Sequence, residues 1–269
     1  MPAVLTNDSV MIRDVWNHNL EREFVLIRDV IDSYPYVAMD TEFPGVVLRF
    51  IGKCNTISEL SYESMRCNVD ILNVIQVGLT LADGDGNMPQ CGTGKHCIWQ
   101  FNFREFNPRT DVYAADSIDM LRQSGFDFEV NRAIGIDVRR FGDLLMSSGL
   151  VMNHDVRWVT FHGSYDFGYL LKLLTCQKLP NTLVGFYDKL TVFFPVIYDI
   201  KQMTRYCDNL HGGLSRIAQI LQVERVGVSH QAGSDSLLTC CTFLRLMGGY
   251  MDRSLSTDAG VLFGLEVRR

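Results

Sequence analysis

The chain reads as an α/β protein, a single domain on a mixed sheet flanked by helices. Three observations predict this. Short apolar runs rich in β-branched and aromatic residues alternate with longer amphipathic stretches. The early runs follow one another as a hairpin group, whereas the later ones are separated by helical stretches. No internal repeat, low-complexity tract or Pro-, Gly- or Ser-rich linker divides the 269 residues.

Residues 9–33 carry Val15, Leu20, Phe24, Ile27 and Ile31 at roughly helical spacing among charged residues, which predicts one amphipathic helix. Ser33-Tyr34-Pro35 ends it. Tyr36–Met39 is a buried strand running into Asp40, and Pro44-Gly45 breaks the chain after it. Ser58–Val69 reads as a helix and Ile75–Leu81 as a strand. Asp83-Gly-Asp-Gly-Asn87 resembles the start of a calcium loop, but the later ligands and flanking helices are missing, so it reads as a hairpin turn. Cys97–Phe103 is the returning strand, making three strands before the helical half. Ala114–Gln123 and Val138–Ser147 are helical, and Val156–Phe161 is a buried strand. Tyr165–Leu174 and Leu183–Phe194 are helices. Val196–Tyr198 is a short strand ending in Asp199. Leu214–Leu221, approached through Gly212-Gly213, and Ser234–Met247 are helices. The last 18 residues are loosely patterned and are expected to be partly ordered at most.

A hydrophobic fraction of 47% and a charged fraction of 21% describe an ordinary globule with ample core material. The formal net charge of −6 argues mildly against a polynucleotide partner, unless bound divalent cations offset clustered acids. No basic stretch precedes an apolar one at the N-terminus, and no run approaches the ~18 apolar residues of a membrane span. Neither a signal peptide nor a membrane partner is therefore expected. The eight cysteines form no C-x-x-C pair, and His96 or His211 lacks the spacing to complete a zinc site. They read as reduced core thiols.

Asp40 and Glu42 flank Thr41 at the end of an apolar strand, so both point to one face. Paired acids there repel each other. Either a cation neutralises them or the strand is leaving the core and its acids are solvated. Asp166 lies in the first turns of the helix after Phe161. Asp235 sits at the start of the last helix, with His230 before it. Each acid alone also suits a helix N-terminus. All of them fall at strand ends or helix starts, where ligands of open α/β sheets collect.

Together they resemble the DEDD exonuclease superfamily in its histidine subtype. Asp40-Thr41-Glu42 matches the first motif, Asp166 in Phe161-His-Gly-Ser-Tyr-Asp-Phe-Gly-Tyr169 the second, and His230-x4-Asp235 the third. More narrowly, Met39–Val47, Arg66–Asp70, Trp99–Phe103, Phe194–Asp199 and His230–Thr239 resemble the Caf/Pop deadenylases, nuclease subunits of the Ccr-Not complex. The likeness runs from about residue 10 to about residue 250, leaving 251–269 as a C-terminal tail.

This resemblance implies a ribonuclease H-like sheet and a poly(A)-specific 3′→5′ exoribonuclease that releases AMP. It implies two divalent ions, Mg²⁺ or Mn²⁺, which suit hard oxygen ligands, and no small-molecule cofactor. Asp40 would bridge the ions, Glu42 and Asp235 would hold the one carrying the attacking water, and Asp166 would serve the other. His230 would accept the water's proton. Phe43 is a candidate for stacking on a base or for core packing. His162 either reaches a phosphate or satisfies a backbone group, and the latter is preferred. Leu214 follows two glycines that either permit close backbone approach to a ligand or only open a helix. Asp208 replaces a basic residue of some relatives, and Asp199, outside the motifs, reads as structural. The implied partners are the 3′ end of poly(A) RNA and the scaffold and second deadenylase of the complex. The implied location is the cytoplasm and also the nucleus. Two other readings compete. One is a catalytically dispensable adaptor with the nuclease fold, but an adaptor has no need of all four acids and His230. The other is a DNA-proofreading exonuclease, which lacks the Phe-Pro-Gly and Gln-Ala-Gly-Ser contexts.

Overall fold

The computed structural model describes residues 5–205, 207, 209–249 and 259–266. Asp208 lies outside them. The elements in order are β1 (Val10–Val15), α1 (Leu20–Val30), β2 (Tyr36–Glu42), α2 (Ile57–Ile71), β3 (Gln76–Ala82) and β4 (His96–Asn102). Then come α3 (Ala115–Gln123), α4 (Phe128–Ile134), α5 (Val138–Met146), β5 (Arg157–Thr160), α6 (Ser164–Thr175) and α7 (Leu183–Phe193). The last are β6 (Ile197–Asp199), α8 (Ile200–Met203), α9 (Leu214–Ile220) and α10 (Ala232–Gly249). The sheet order is β1-β4-β3-β2-β5-β6. β4, β3 and β2 run antiparallel in series, while β1 is parallel to β4, and β5 and β6 extend β2 in parallel.

The single helix expected over 9–33 is instead a strand, a turn and a helix, so four strands precede the helical half. β1 is an edge strand and carries polar residues on both faces. Its Arg13 is not left solvated: Nε pairs with Glu23 Oε2 on α1 at 2.6 Å. The same oxygen accepts Trp99 Nε1 of β4 at 3.1 Å. That ion pair hides the two-residue alternation that would have marked the strand. α4 also escaped the sequence reading. Its N-terminus is capped by Asp127, which accepts the N–H groups of Glu129 and Val130.

Apolar faces of α1, α2, α5, α6 and α7 close over one side of the sheet around Val37, Met39, Trp99 and Trp158. α9 and α10 close over the other side, on Ala38, Ile98 and Val159. Strand alternation thus sends Val37 and Met39 toward α6 and sends Ala38 and Asp40 toward α10. α2 has no basic residue in its last turn. Lys172 of α6 supplies the charge from outside, its Nζ donating to Val69 O and Leu72 O at 2.8 and 2.9 Å.

The turn after β3 forms as expected. Asp83 Oδ1 accepts the N–H groups of Asp85 and Asn87 at 2.9 and 2.8 Å, so its carboxylate serves the turn. Only Cys97 and Cys240 are buried, and Cys176 is exposed, so the cysteines are less uniformly core residues than expected. Part of the C-terminal segment is among the described residues. Leu262 and Leu265 of the segment 259–266 are buried in the same apolar core as Leu190 and Phe194. Gly260 N donates to Ile197 O at 2.9 Å, and Leu262 N to the Tyr187 hydroxyl at 3.2 Å. Two leucines in an irregular segment carry no periodicity, which is why the sequence reading passed over them.

Candidate active site

β5 pairs with β2 only across Tyr36–Ala38. Asp40 and Glu42 therefore project past the end of β5, where β2 and β5 both deliver their C-terminal ends. Asp40 lies opposite Gly78 and Glu42 opposite Gln76, so both acids share a face with these β3 residues. α10 begins on that face. Its first carbonyl sits so low on the sheet that a Cβ at Gly78 would lie 1.9 Å from Ala232 O. Only glycine allows the helix to approach this closely. Ala232 N donates to Gln76 Oε1 at 2.7 Å and Gly233 N to Gln100 Oε1 at 3.0 Å. Two otherwise orphaned N-terminal amides of α10 are thereby fastened to β3 and β4. This seating brings Asp235, one turn on, beside Glu42.

The second motif arrives from the opposite face. Thr41 points toward α6, and its hydroxyl donates to Asp166 Oδ1 at 2.6 Å. The alternation Asp-Thr-Glu thus places acids on one side of β2 and an anchor for the second motif's acid on the other.

The group is electrostatically tense. Asp40 is half-buried, and its carboxyl is held well above the usual range by burial first, then by the charges of Asp166, Glu42 and Asp235. Burial, followed by Asp235 and Asp166, pushes Glu42 up to about 8. Burial pushes Asp166 up to about 7, against the opposing hydrogen bond from Thr41. Arg225 is the cation whose charge acts the other way on both Asp40 and Glu42. Among the described residues, Glu42, His230 and Asp235 bring one ligand atom each to within 4.8 Å of one another. The donors are carboxylate oxygens plus one imidazole, and the acids together carry more negative charge than Arg225, paired with Asp235, offsets. A divalent cation fits that set.

Two histidines approach the site in the left-handed region, His162 at φ 62° and His230 at φ 61°. Each is held there by a later aspartate. His162 N donates to Asp199 Oδ1 at 2.8 Å, and His230 N to Asp235 Oδ2 at 2.8 Å. Asp199 also accepts Gly163 N, Lys201 N and Phe263 N. It ties the β5–α6 turn, α8 and the C-terminal segment together, a structural role as expected. The His162 ring packs edge-on against Phe263. The Phe43 ring is half-buried and stacked on Tyr165 at 5.1 Å, with Tyr169 also at 5.1 Å, so core packing accounts for it. Leu214 opens α9 beside Gly213, where an added Cβ would meet open space.

A family model described as CAF1 family ribonuclease matches residues 15–140 and 135–243. The chain belongs to the CAF1 ribonuclease family. It is 58% identical over 268 residues to the probable CCR4-associated factor 1 homolog 7 of Arabidopsis thaliana, covering 99% of this chain and 98% of that protein. It is 46% identical to the poly(A) ribonuclease pop2 of Schizosaccharomyces pombe, over 94% of this chain and 75% of that protein. The structure of S. pombe Pop2p in its Mg²⁺- and Mn²⁺-bound form superposes with a TM-score of 0.90 at 46% identity, covering 94% of this chain and 99% of that one. Yeast CAF1, co-crystallised with the NOT1 MIF4G domain, gives 0.79 at 32% identity over 97% and 100% of the chains.

In this CAF1-family chain the four acids and His230 singled out in the sequence come together at one sheet end, and what holds them lies outside their motifs. Gln76, Gln100 and Gly78 lie in strands whose composition looks ordinary. Arg225 sits in Val223-Glu-Arg-Val226, between helices, with no spacing that links it to Asp235. Same-face position on β3 would have pointed to Gln76, because a buried amide opposite Glu42 needs partners. No sequence signal singles out Arg225.

Proposed function

We propose that this chain is a poly(A)-specific 3′→5′ exoribonuclease, acting as a catalytic subunit of the Ccr-Not complex in mRNA decay. The observation that carries the reading is the convergence of Asp40, Glu42, Asp166 and Asp235 with His230 at one sheet end, in a chain of the CAF1 ribonuclease family. The pop2 name and the Mg²⁺- and Mn²⁺-bound relative support poly(A) as substrate and these ions as cofactors. The relative held by the NOT1 MIF4G domain supports a scaffold partner. A second deadenylase as partner, and action in cytoplasm and nucleus, belong to the same proposal.

When bound, two divalent ions would supply an activated water and support for the leaving oxygen. The chain's own residues prepare that chemistry. Glu42, Asp235 and His230 form one side of the site. Asp166, fixed by Thr41, forms the other, and Asp40 lies close enough to all three acids to feel their charge, so the four carboxylates would hold the ions. His230, exposed and anchored through its backbone, places its ring beside Glu42, where it would accept the proton of an attacking water. Leu214, at the open start of α9, would border the approach of the RNA 3′ end, while Phe43 stays packed on Tyr165 and Tyr169. No long basic groove is needed, because the ions balance the acids.

The test is degradation of 5′-labelled oligoadenylate and oligouridylate by the purified chain, with Mg²⁺ or Mn²⁺ and with EDTA. Metal-dependent, stepwise shortening of oligoadenylate well ahead of oligouridylate is expected. Equal rates on the two would remove the poly(A) assignment.

A further inference from the structure

Between α9 and α10 a single arginine reaches three side chains on two elements. Arg225 Nη2 lies 2.8 Å from Asp235 Oδ1. Its Nη1 donates to Ser234 Oγ at 3.2 Å, and Nη2 also donates to Ser215 Oγ at 3.2 Å. Ser234 is itself held, donating to Val226 O at 2.7 Å. The other oxygen of Asp235 accepts His230 N. Both carboxylate oxygens are thus gripped, one by a guanidinium and one by a backbone amide. The plane and rotation of the carboxylate are set before any cation arrives. The pair is largely shielded, with 21% of the Arg225 and 12% of the Asp235 side chain exposed.

We propose that Arg225 is a positioning residue for the metal-binding carboxylate of Asp235, and that it couples this carboxylate to the first turn of α9. The proposal rests on the reading of Asp235 as a metal ligand. The arginine acts by geometry and against its own charge. A cation this close repels a divalent ion, so electrostatics alone would make Arg225 a liability for metal binding. What it offers in return is a fixed fork. Each oxygen of a carboxylate has two acceptor directions, and the contacts from Arg225 and His230 occupy one on each. The remaining directions are left for a cation, with ligand atoms of Glu42 and His230 within 4.8 Å. Partners that orient a metal ligand from behind commonly govern affinity by about 10–100-fold. Ser215 follows Leu214, so the same guanidinium links the turn bordering the RNA approach to the metal-facing acid. An ammonium in place of the guanidinium keeps the charge but loses the planar fork.

The experiment measures Mn²⁺ affinity of the full chain by calorimetry and by the spectrum of free Mn²⁺ in electron paramagnetic resonance. Circular dichroism and melting in EDTA confirm that each variant is folded. Asp235→Asn is the reference. If it binds Mn²⁺ as the parent does, the ligand reading itself fails. With that reading intact, Arg225→Lys is expected to bind Mn²⁺ about tenfold more weakly. Arg225→Gln is expected to bind more weakly too, although it removes a repelling charge, and kcat on oligoadenylate should fall in both with KM little changed. Should Arg225→Lys not fold, Arg225→Gln and the milder Ser215→Ala carry the test. Parent-like affinity in Arg225→Lys, or tighter binding in Arg225→Gln, would overturn the proposal. A change confined to KM would do so as well, assigning the arginine to RNA instead.

Discussion

Glu42 offers a way to read the acid cluster without any substrate. The residue is only 9% exposed. Burial, then Asp235 and Asp166, lift it from the usual 4.5 to about 8. Between these values the folded chain keeps a proton that the unfolded chain has released. Linkage then makes stability fall as pH rises through this window. The contribution is fully present below pH 4.5 and gone above pH 8. Taken alone, the change corresponds to a ceiling of about 5 kcal/mol. Glu42→Gln keeps the shape and removes the titration. Its metal-free form should melt higher than the parent near pH 8, and the two curves should converge near pH 5. A gain of about 3 kcal/mol moves the midpoint by roughly 6–12 °C in a domain of this size. Mn²⁺ should flatten the parent's pH dependence and do little for the variant. Differential scanning calorimetry in EDTA and in Mn²⁺, from about pH 5 to about pH 9, reads all of this. If the variant melts no higher than the parent near pH 8 in EDTA, the account of mutually repelling buried acids is wrong.

Two further outcomes follow from the way α10 and its approach are seated. Gly78→Ala forces a methyl group into Ala232 O. It should cost about 3 kcal/mol in urea unfolding and weaken Mn²⁺ binding through displaced Asp235, whereas an unperturbed variant would mean that the helix is not held this low. His230→Asn keeps a residue tolerant of the left-handed backbone at φ 61° while removing the imidazole. Its rate on oligoadenylate should fall by about 100-fold or more with little change in melting temperature, and a rate within threefold of the parent would release His230 from proton transfer.

Much of this site was legible because it follows local rules. An apolar strand closing on Asp-Thr-Glu forces two acids onto one face, and Thr41 onto the face where Asp166 comes to lie. Helix starts at Ser164 and Ala232 place Asp166 and Asp235 within a turn of their N-termini. What stayed hidden depends on pairing across the fold. β1 looked helical because Arg13 sits where a strand facing a core should be apolar, and only Glu23 and Trp99 explain it. The docking of Leu262 and Leu265 depends on Asp199, Tyr187 and Ile197, far away in sequence. The clamp from Arg225 to Asp235 is of the same kind. Its two ends are ten residues apart, with a loop between that follows no period.

The account turns on Asp40, the carboxylate that feels the charge of the other three acids. The most direct measurement compares Asp40→Ala with the parent on 5′-labelled oligoadenylate in Mn²⁺, with Mn²⁺ stoichiometry determined on the same samples. The account predicts a folded variant that binds less Mn²⁺ and leaves the RNA at full length, while the parent shortens it stepwise from the 3′ end and stops in EDTA. Shortening by Asp40→Ala at the parent's rate, or by the parent in EDTA, would contradict it.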